Sequence, residues 1–136
     1  MKREGLKAGL KKVMLKVVKE GDVARLLKGH NIEVLATPVM IAWMEEASWK
    51  LVEEFLEDDE VTVGVSVSVS HKAPAPLGSE VLVEATLKEV EGRRLKFEVC
   101  ARLGDVIIGE GVHERFVVNL SRFKERVESF KRLREA

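Results

Sequence analysis

The chain has 136 residues, with 23 basic and 23 acidic side chains and therefore no net charge at pH 7. This length predicts one domain, residues 1–136, with a substantial core, and the balanced charge gives no electrostatic reason to expect a nucleic acid or membrane partner. No apolar run approaches the roughly 20 residues of a membrane span. The single cysteine, Cys100, excludes an internal disulfide framework, and no signal-like apolar segment opens the chain, so we expect a cytoplasmic protein.

The first elements are short. Residues 12–19 are rich in apolar and β-branched side chains and predict a strand. Asp22 is placed to cap a short helical turn over residues 23–27, and residues 28–31 predict a loop.

A long amphipathic helix follows. Thr37 is a candidate N-cap and Pro38 suits the first helical position. Apolar side chains then recur at spacings of three and four, which indicates a helix packed on a core. The acidic run at residues 57–60 opposes the helix dipole and predicts the end of the helix. The stripe consists of Met40, Trp43, Met44, Ala47, Leu51 and Phe55.

The apolar period then changes from nearly four to two. Valines at odd positions from Val61 to Val69 alternate with small or polar residues, which predicts a strand with one apolar face. Gly109 and Gly111 in the last predicted strand indicate a bulge or a close approach of backbone. A final helix over residues 120–134 is expected to pack as a solvated cover. The predicted strands are 61–70, 79–90, 93–103 and 106–118.

These elements predict an α+β fold, an antiparallel sheet of about five strands wrapped around one long central helix, plus a C-terminal helix. The helix containing Thr37 is the one element long and apolar enough to cover the sheet's apolar face.

Known catalytic motifs are mostly missing from the sequence. The three histidines show no metal-binding spacing, and there is no phosphate-binding glycine loop or serine nucleophile elbow. Thr37, Glu45 and His71 remain as a hydroxyl, a carboxylate and a base that titrates near neutral pH. Each also has a simple structural interpretation, as an N-cap, a solvated helix carboxylate and a surface histidine, and the residues alone leave both interpretations open.

Four segments resemble one family, and they span most of the chain, from about Gly5 to Phe123. They are VLATPVMIAWMEEA, TVGVSVSVSHKAPAPLG, EVEGRRLKFEV and GEGVHERFVV. Together they resemble hotdog-fold acyl-CoA thioesterases of the fluoroacetyl-CoA thioesterase type.

The resemblance implies a hotdog fold and hydrolysis of a short- or medium-chain acyl-CoA, without a metal or cofactor, since CoA is part of the substrate. It places the catalytic threonine, glutamate and histidine on Thr37, Glu45 and His71, and the glycine that lines the acyl end of the pocket on Gly64. It also implies a homodimer with active sites at the subunit interface, and a tetramer built from such dimers stays open.

Other substrate contacts are expected from position. Met40 is expected to help set pocket depth. The family's aromatic lid positions are occupied here by Lys28 and Asn31, so selectivity for a fluoroacetyl group is not implied, and His30 nearby has no assigned role. Lys72, Arg93 and Arg94 are candidate contacts for the phosphates of CoA, because phosphates bind cations.

Two other functions stay open at this stage. One is a hotdog module that binds an acyl-CoA without cleaving it. The other is an enoyl-CoA hydratase or dehydratase, in which Glu45 and His71 would move protons and leave the thioester intact.

Overall fold

The structure, a computed structural model, describes residues 2–135, except for the side chains of residues 2, 25–27 and 135. It contains seven strands, two α-helices and three short 3-10 turns within that range. The turns are Lys2–Gly5, Glu20–Asp22 and Arg132–Glu135. The strands and helices are β1 (Lys11–Val17), β2 (Val23–Leu27), β3 (His30–Leu35), α1 (Thr37–Glu53), β4 (Glu60–His71), β5 (Glu80–Glu91), β6 (Arg94–Leu103), β7 (Val106–Asn119) and α2 (Leu120–Lys131).

Five strands form one antiparallel sheet in the order β1-β5-β6-β7-β4, and α1 packs across one face of it. Inward positions of β5 and β6 are apolar at every second residue, as the period of two predicts. The predicted helix stripe from Met40 to Leu51 is buried against them, while Phe55 lies beyond the helix end and is partly buried. The sheet side of this core consists of Val81, Val83, Ala85, Leu87, Leu95, Phe97, Val99 and Ala101. No helix in residues 2–135 is long and apolar enough to span a membrane.

The helical turn predicted over residues 23–27 is wrong. Those residues form β2, which pairs with β3 in a separate two-stranded hairpin. The turn consists of Lys28 and Gly29, both with positive φ (54° and 81°). Two consecutive positive φ values are typical of the tightest hairpin turns, whose twist matches that of the flanking strands. The hairpin therefore incorporates His30 and Asn31, which the sequence placed in a loop.

A bulge at Val65 changes the faces of β4. Before it, Gly64 lies opposite Arg115, and after it Val67 and His71 lie opposite His113 and Gly109. Directly opposed residues of an antiparallel pair share a face, so the predicted single apolar face is divided. Val61 and Val63 lie on the outer face of the sheet, whereas Val67 and Val69 lie on the inner face with Gly64 and His71.

Both glycines of β7 permit close approach, as predicted. A Cβ on Gly109 would lie 2.6 Å from the Met40 sulfur, and a Cβ on Gly111 would clash with the Ser68 carbonyl. The register between β6 and β7 also shifts at this end of the strands. The glycines thus allow α1 and β4 to pack tightly against β7.

Helix α2 is packed less than predicted, and part of β4 is exposed. None of the twelve residues of α2, all described, is buried, and Phe130 is 55% exposed. The predicted packing of this helix as a cover is therefore not present within a single chain. Residues 64–68 of β4 are also exposed, at an edge with no neighbouring strand among residues 2–135.

Candidate active site

Thr37 and His71 form a direct contact at the start of α1. Thr37 Oγ1 lies 2.6 Å from His71 Nδ1, the distance of a strong hydrogen bond. His71 Nε2 is buried and has no hydrogen-bond partner among the described residues. Buried polar atoms are nearly always hydrogen-bonded, so an unpaired nitrogen at this position marks His71 as a candidate functional residue.

The interpretation of Thr37 as an N-cap is wrong. Ala36 is the N-cap, no side chain caps the helix start, and Thr37 is the first helical residue with Pro38 second. The Thr37 hydroxyl is therefore available for His71. The two residues border a shallow cleft of about 360 Å³.

Glu45, on α1, belongs to a second group of residues, which lies between the helix and the inner face of the sheet. Its Oε2 lies 3.9 Å from His113 Nε2 and 3.8 Å from Arg115 Nη1, and its side chain is 39% exposed. A Cβ built on Gly64 would lie 2.9 Å from the same oxygen. The carboxylate thus occupies the space that a side chain at position 64 would fill.

His113 and Arg115 are buried charged or titratable residues on a core face. Burial lowers the pKa of His113, and the nearby Arg115 charge adds to this, although the hydrogen bond to the Ser66 carbonyl opposes it. Burial likewise lowers the pKa of Arg115, against the favourable charge of Glu45. His113 is thus more difficult to protonate in the folded chain than in the unfolded chain.

This pKa shift predicts an acid-sensitive fold. As pH falls below about 6.5, the unfolded chain takes up a proton at position 113 before the folded chain does, so the free energy of unfolding decreases. The expected slope from this residue is at most about 1.4 kcal/mol per pH unit. Chemical denaturation between pH 5 and 7.5 measures it. His113→Gln should flatten the slope, and an unchanged slope in that variant would contradict the prediction.

Gly64→Ala is expected to reduce turnover without destabilising the fold. The new methyl group would displace the Glu45 carboxylate, which is the end of a flexible side chain, and would approach Arg115 Nη1 and His113 Cε1 to 3.4 Å. Alanine costs less backbone entropy than glycine, so the free energy of unfolding should change by less than about 1 kcal/mol. Steady-state kinetics and thermal unfolding of the same preparation test this, with Gly21→Ala as control, where a Cβ meets nothing within 4 Å.

The two groups lie far apart within one chain. Thr37 and Glu45 are separated by two helical turns, an axial rise of about 12 Å. Along β4, Gly64 and His71 are seven residues apart, roughly 20 Å of strand. A single carbonyl group therefore cannot contact Glu45 and His71 of the same chain at hydrogen-bond distance.

The other predicted contact residues have varied surroundings. Met40 is completely buried with its sulfur over Gly109, and Asn31 is exposed on β3. Lys72 borders the His71 cleft and pairs with Glu110 at 2.5 Å. Their roles toward substrate stay predictions.

The remaining cations lie elsewhere. Arg93 and Arg94 pair with Glu60 and Glu114, and His30 is exposed at the tip of the β2–β3 hairpin. A role of these arginines in binding CoA also stays a prediction.

Sequence reasoning missed His113 and Arg115 as members of the site. Their alternation along β7 could have revealed them. His113 and Arg115 fall on the same face of the strand as Val117, so two polar side chains point toward the core. Buried polar residues of this kind are uncommon and mark either a structural network or a site. Regular alternation along β4, however, placed Gly64 and His71 on opposite faces, so the sequence did not show that these β7 residues share a face with both.

Comparison with known proteins gives a consistent result. A family model described as "Fluoroacetyl-CoA-specific thioesterase" matches residues 18–121. The chain is 42% identical over 95 residues to the fluoroacetyl-CoA thioesterase of Streptantibioticus cattleyicolor, covering 70% of this chain and 68% of that protein.

Solved structures agree with the sequence matches. A structure of a fluoroacetyl-CoA thioesterase superposes with a TM-score of 0.84 at 34% identity, over 90% of this chain and 96% of that one. A thioesterase superfamily member from Thermus thermophilus gives 0.87 at 29% identity, over 95% and 96%. The predicted hotdog architecture is therefore confirmed.

Proposed function

The chain belongs to the fluoroacetyl-CoA-specific thioesterase family and is a hotdog-fold thioester hydrolase, and we propose that its substrates are short- or medium-chain acyl-CoAs cleaved by Thr37, Glu45 and His71. The observation that carries the residue assignment is the Thr37–His71 hydrogen bond, together with the buried Nε2, which has no partner in the part of the chain that the structure describes. A histidine held at one nitrogen and unpartnered at the other is suited to move a proton to or from a bound substrate.

The active site is composite, formed by two copies of the chain. Glu45 and His71 of one chain are too far apart to share a carbonyl, whereas the open edge of β4 offers a second copy twelve residues to pair with. Antiparallel pairing of two β4 strands centred near Val67 and Ser68 would set His71 of one protomer opposite Gly64 of its partner. The partner's Glu45 lies against that glycine, so all three catalytic groups would meet at the interface.

Exposure along β4 supports this pairing. Val65 is 55% exposed and Val67 40% exposed, and both lie in the run at residues 64–68, which pairs with β7 on one side and has no neighbouring strand among residues 2–135 on the other. Long unpaired apolar edges promote association, and proteins normally cover them. The same pairing would satisfy the outward backbone groups of β4 and enclose Thr37 and His71 of one protomer with Glu45 of the other.

The residues have distinct tasks in this reaction. Glu45 either attacks the thioester carbonyl carbon directly or activates a water molecule that attacks it. Direct attack forms an acyl anhydride and releases CoA thiolate. Thr37 orients the imidazole of His71 through Nδ1, and Nε2 exchanges a proton with the leaving sulfur or with water. In the anhydride route, water then breaks the bond between the acyl carbon and Glu45, which releases the acid and restores the carboxylate.

The acyl specificity of this chain is proposed to be broader than that of its fluoroacetyl-CoA-specific relatives. Lys28 sits at an exposed hairpin turn and Asn31 on an exposed strand position, so neither supplies an aromatic cover over the cleft. We therefore expect acetyl-CoA and longer acyl-CoAs to be cleaved at rates comparable to fluoroacetyl-CoA.

A panel of acyl-CoAs tests the proposal. The purified protein is mixed with fluoroacetyl-, acetyl-, butyryl-, octanoyl- and crotonyl-CoA, and released CoA is trapped with a thiol reagent. Turnover of at least one member with release of free acid is expected. Binding without thiol release would indicate a binding module, and hydration of crotonyl-CoA with the thioester retained would indicate a hydratase.

A further inference from the structure

The buried pair His113 and Arg115 has no task in the reaction described so far. His113 is 1% exposed and Arg115 is 7% exposed, and both face Glu45. A buried guanidinium normally forms a hydrogen-bonded pair with a carboxylate. Here Nη1 stops 3.8 Å from the Glu45 carboxylate, beyond hydrogen-bond distance.

Neutral groups hold the guanidinium instead. Nε donates to Thr62 Oγ1 at 2.8 Å, Nη2 donates to the Thr62 carbonyl at 2.9 Å, and Nη1 lies 3.2 Å from His113 Nε2. Its edge and two ends are therefore fixed by β4 and by His113. None of these partners neutralises its charge.

The hydrogen bonds of His113 define its tautomer. The Ser66 carbonyl, 2.9 Å from Nδ1, can only accept, so Nδ1 carries the hydrogen. Arg115 Nη1 can only donate, so Nε2 presents its lone pair. His113 is therefore neutral and cannot form an ion pair with Glu45, although its Nε2 lies 3.9 Å from the carboxylate.

We propose that His113 is a positioning residue, which retains Arg115 Nη1 so that the guanidinium charge stays beside Glu45 while both carboxylate oxygens remain free for substrate. This inference rests on the proposed role of Glu45. A charge fixed in place by hydrogen bonds needs no reorganisation during the reaction. A direct hydrogen bond from the same guanidinium would instead occupy the oxygen that attacks the carbonyl or activates water.

The surroundings of His113 support a fixed position. Its ring stacks on Phe97 with centroids 6.1 Å apart and an interplanar angle of 26°. The Ser66 carbonyl follows directly after the Val65 bulge, where the strand ladder is interrupted. The bulge thus supplies an acceptor that directs Nε2 toward Arg115.

Two substitutions separate positioning from packing. Gln at position 113 can place its amide oxygen where Nε2 lies, whereas Leu keeps the burial and offers no acceptor. In His113→Leu, Arg115 Nη1 should turn to Glu45, and kcat should fall about 10- to 100-fold with little change in KM. His113→Gln should retain kcat within a few fold. Equal losses in both variants, or wild-type kcat in the leucine variant, would overturn the inference.

A spectroscopic measurement on the unaltered protein decides the tautomer even if the leucine variant does not fold. Protein labelled with ¹⁵N-histidine is expected to show a neutral Nδ1–H imidazole for His113 over the pH range of activity, assigned by its absence from the His113→Gln spectrum. An imidazolium or an Nε2–H tautomer overturns the inference. If Glu45→Gln is inactive while His113→Leu keeps full activity, only this inference fails; if Glu45→Gln keeps wild-type activity, the catalytic assignment of Glu45 fails and this inference fails with it.

Discussion

Glu45→Gln is expected to reduce the turnover of every cleaved acyl-CoA by at least about 10²- to 10³-fold, because the amide can neither attack the thioester carbonyl nor take a proton from water. The shapes of the two side chains are nearly the same, so the site should keep its form. KM should change little, because the carboxylate stabilises the transition state more than it stabilises the bound substrate. Steady-state release of CoA, measured with the parent and the variant at matched concentration, gives the comparison.

The adjacent residue offers a matched control. Glu46 undergoes the same chemical change one position along the same helix, but its carboxylate pairs with Lys16 at 2.8 Å and Lys50 at 2.7 Å. These hydrogen bonds lower the pKa of Glu46. Glu46→Gln should cost at most about 1 kcal/mol of stability, because such surface pairs are weak, and should leave kcat unchanged. Wild-type turnover in Glu45→Gln would remove the catalytic assignment.

Period and burial account for how much of the architecture the sequence predicts. A stripe such as Met40 to Leu51 can be buried only by a helix, and alternation such as Val81 to Leu87 only by a strand, so tertiary packing reinforces the local pattern. The β2–β3 hairpin escaped prediction because its turn contains Lys28, which adopts a positive φ that sequence statistics assign to glycine or asparagine. The neighbouring Gly29 alone did not define the turn.

The candidate site was predictable only in part, for two physical reasons. Strand parity is counted along the chain, and one inserted residue reverses it. Gly64 and His71 are seven positions apart, so a regular strand would place them on opposite faces, and only the Val65 bulge brings both to α1. Nothing in a run of alternating valines and serines marks which residue is extra.

The second reason is that one side chain, Thr37, can take two competing roles. Threonine is one of the residue types preferred at the N-cap, so local propensity favours that role for Thr37. The structure assigns the cap position to Ala36 and the Thr37 hydroxyl to His71, a residue 34 positions away. A pattern within one turn of helix cannot reveal a partner supplied by another strand.

Mixed dimers are expected to regain activity that neither parent variant has. In a composite site, His71 of one protomer works with Glu45 of the other. A heterodimer of one His71→Ala chain and one Glu45→Gln chain then has one fully intact site and one doubly damaged site. With two different affinity tags, this heterodimer can be purified after co-expression, and it should turn over at about half the wild-type rate per dimer.

The reciprocal heterodimer makes the test decisive. When one chain carries both His71→Ala and Glu45→Gln and the other is unaltered, each composite site contains one damaged residue, so activity should be nearly lost. If instead each site were built within one chain, the results would exchange: the double-variant heterodimer would keep about half the activity and the first heterodimer would have none. A heterodimer of Glu45→Gln with the unaltered chain should show about half the activity in either arrangement, and it calibrates the assay. In one chain Glu45 lies two helical turns from Thr37, the residue that contacts His71, so we expect the composite pattern.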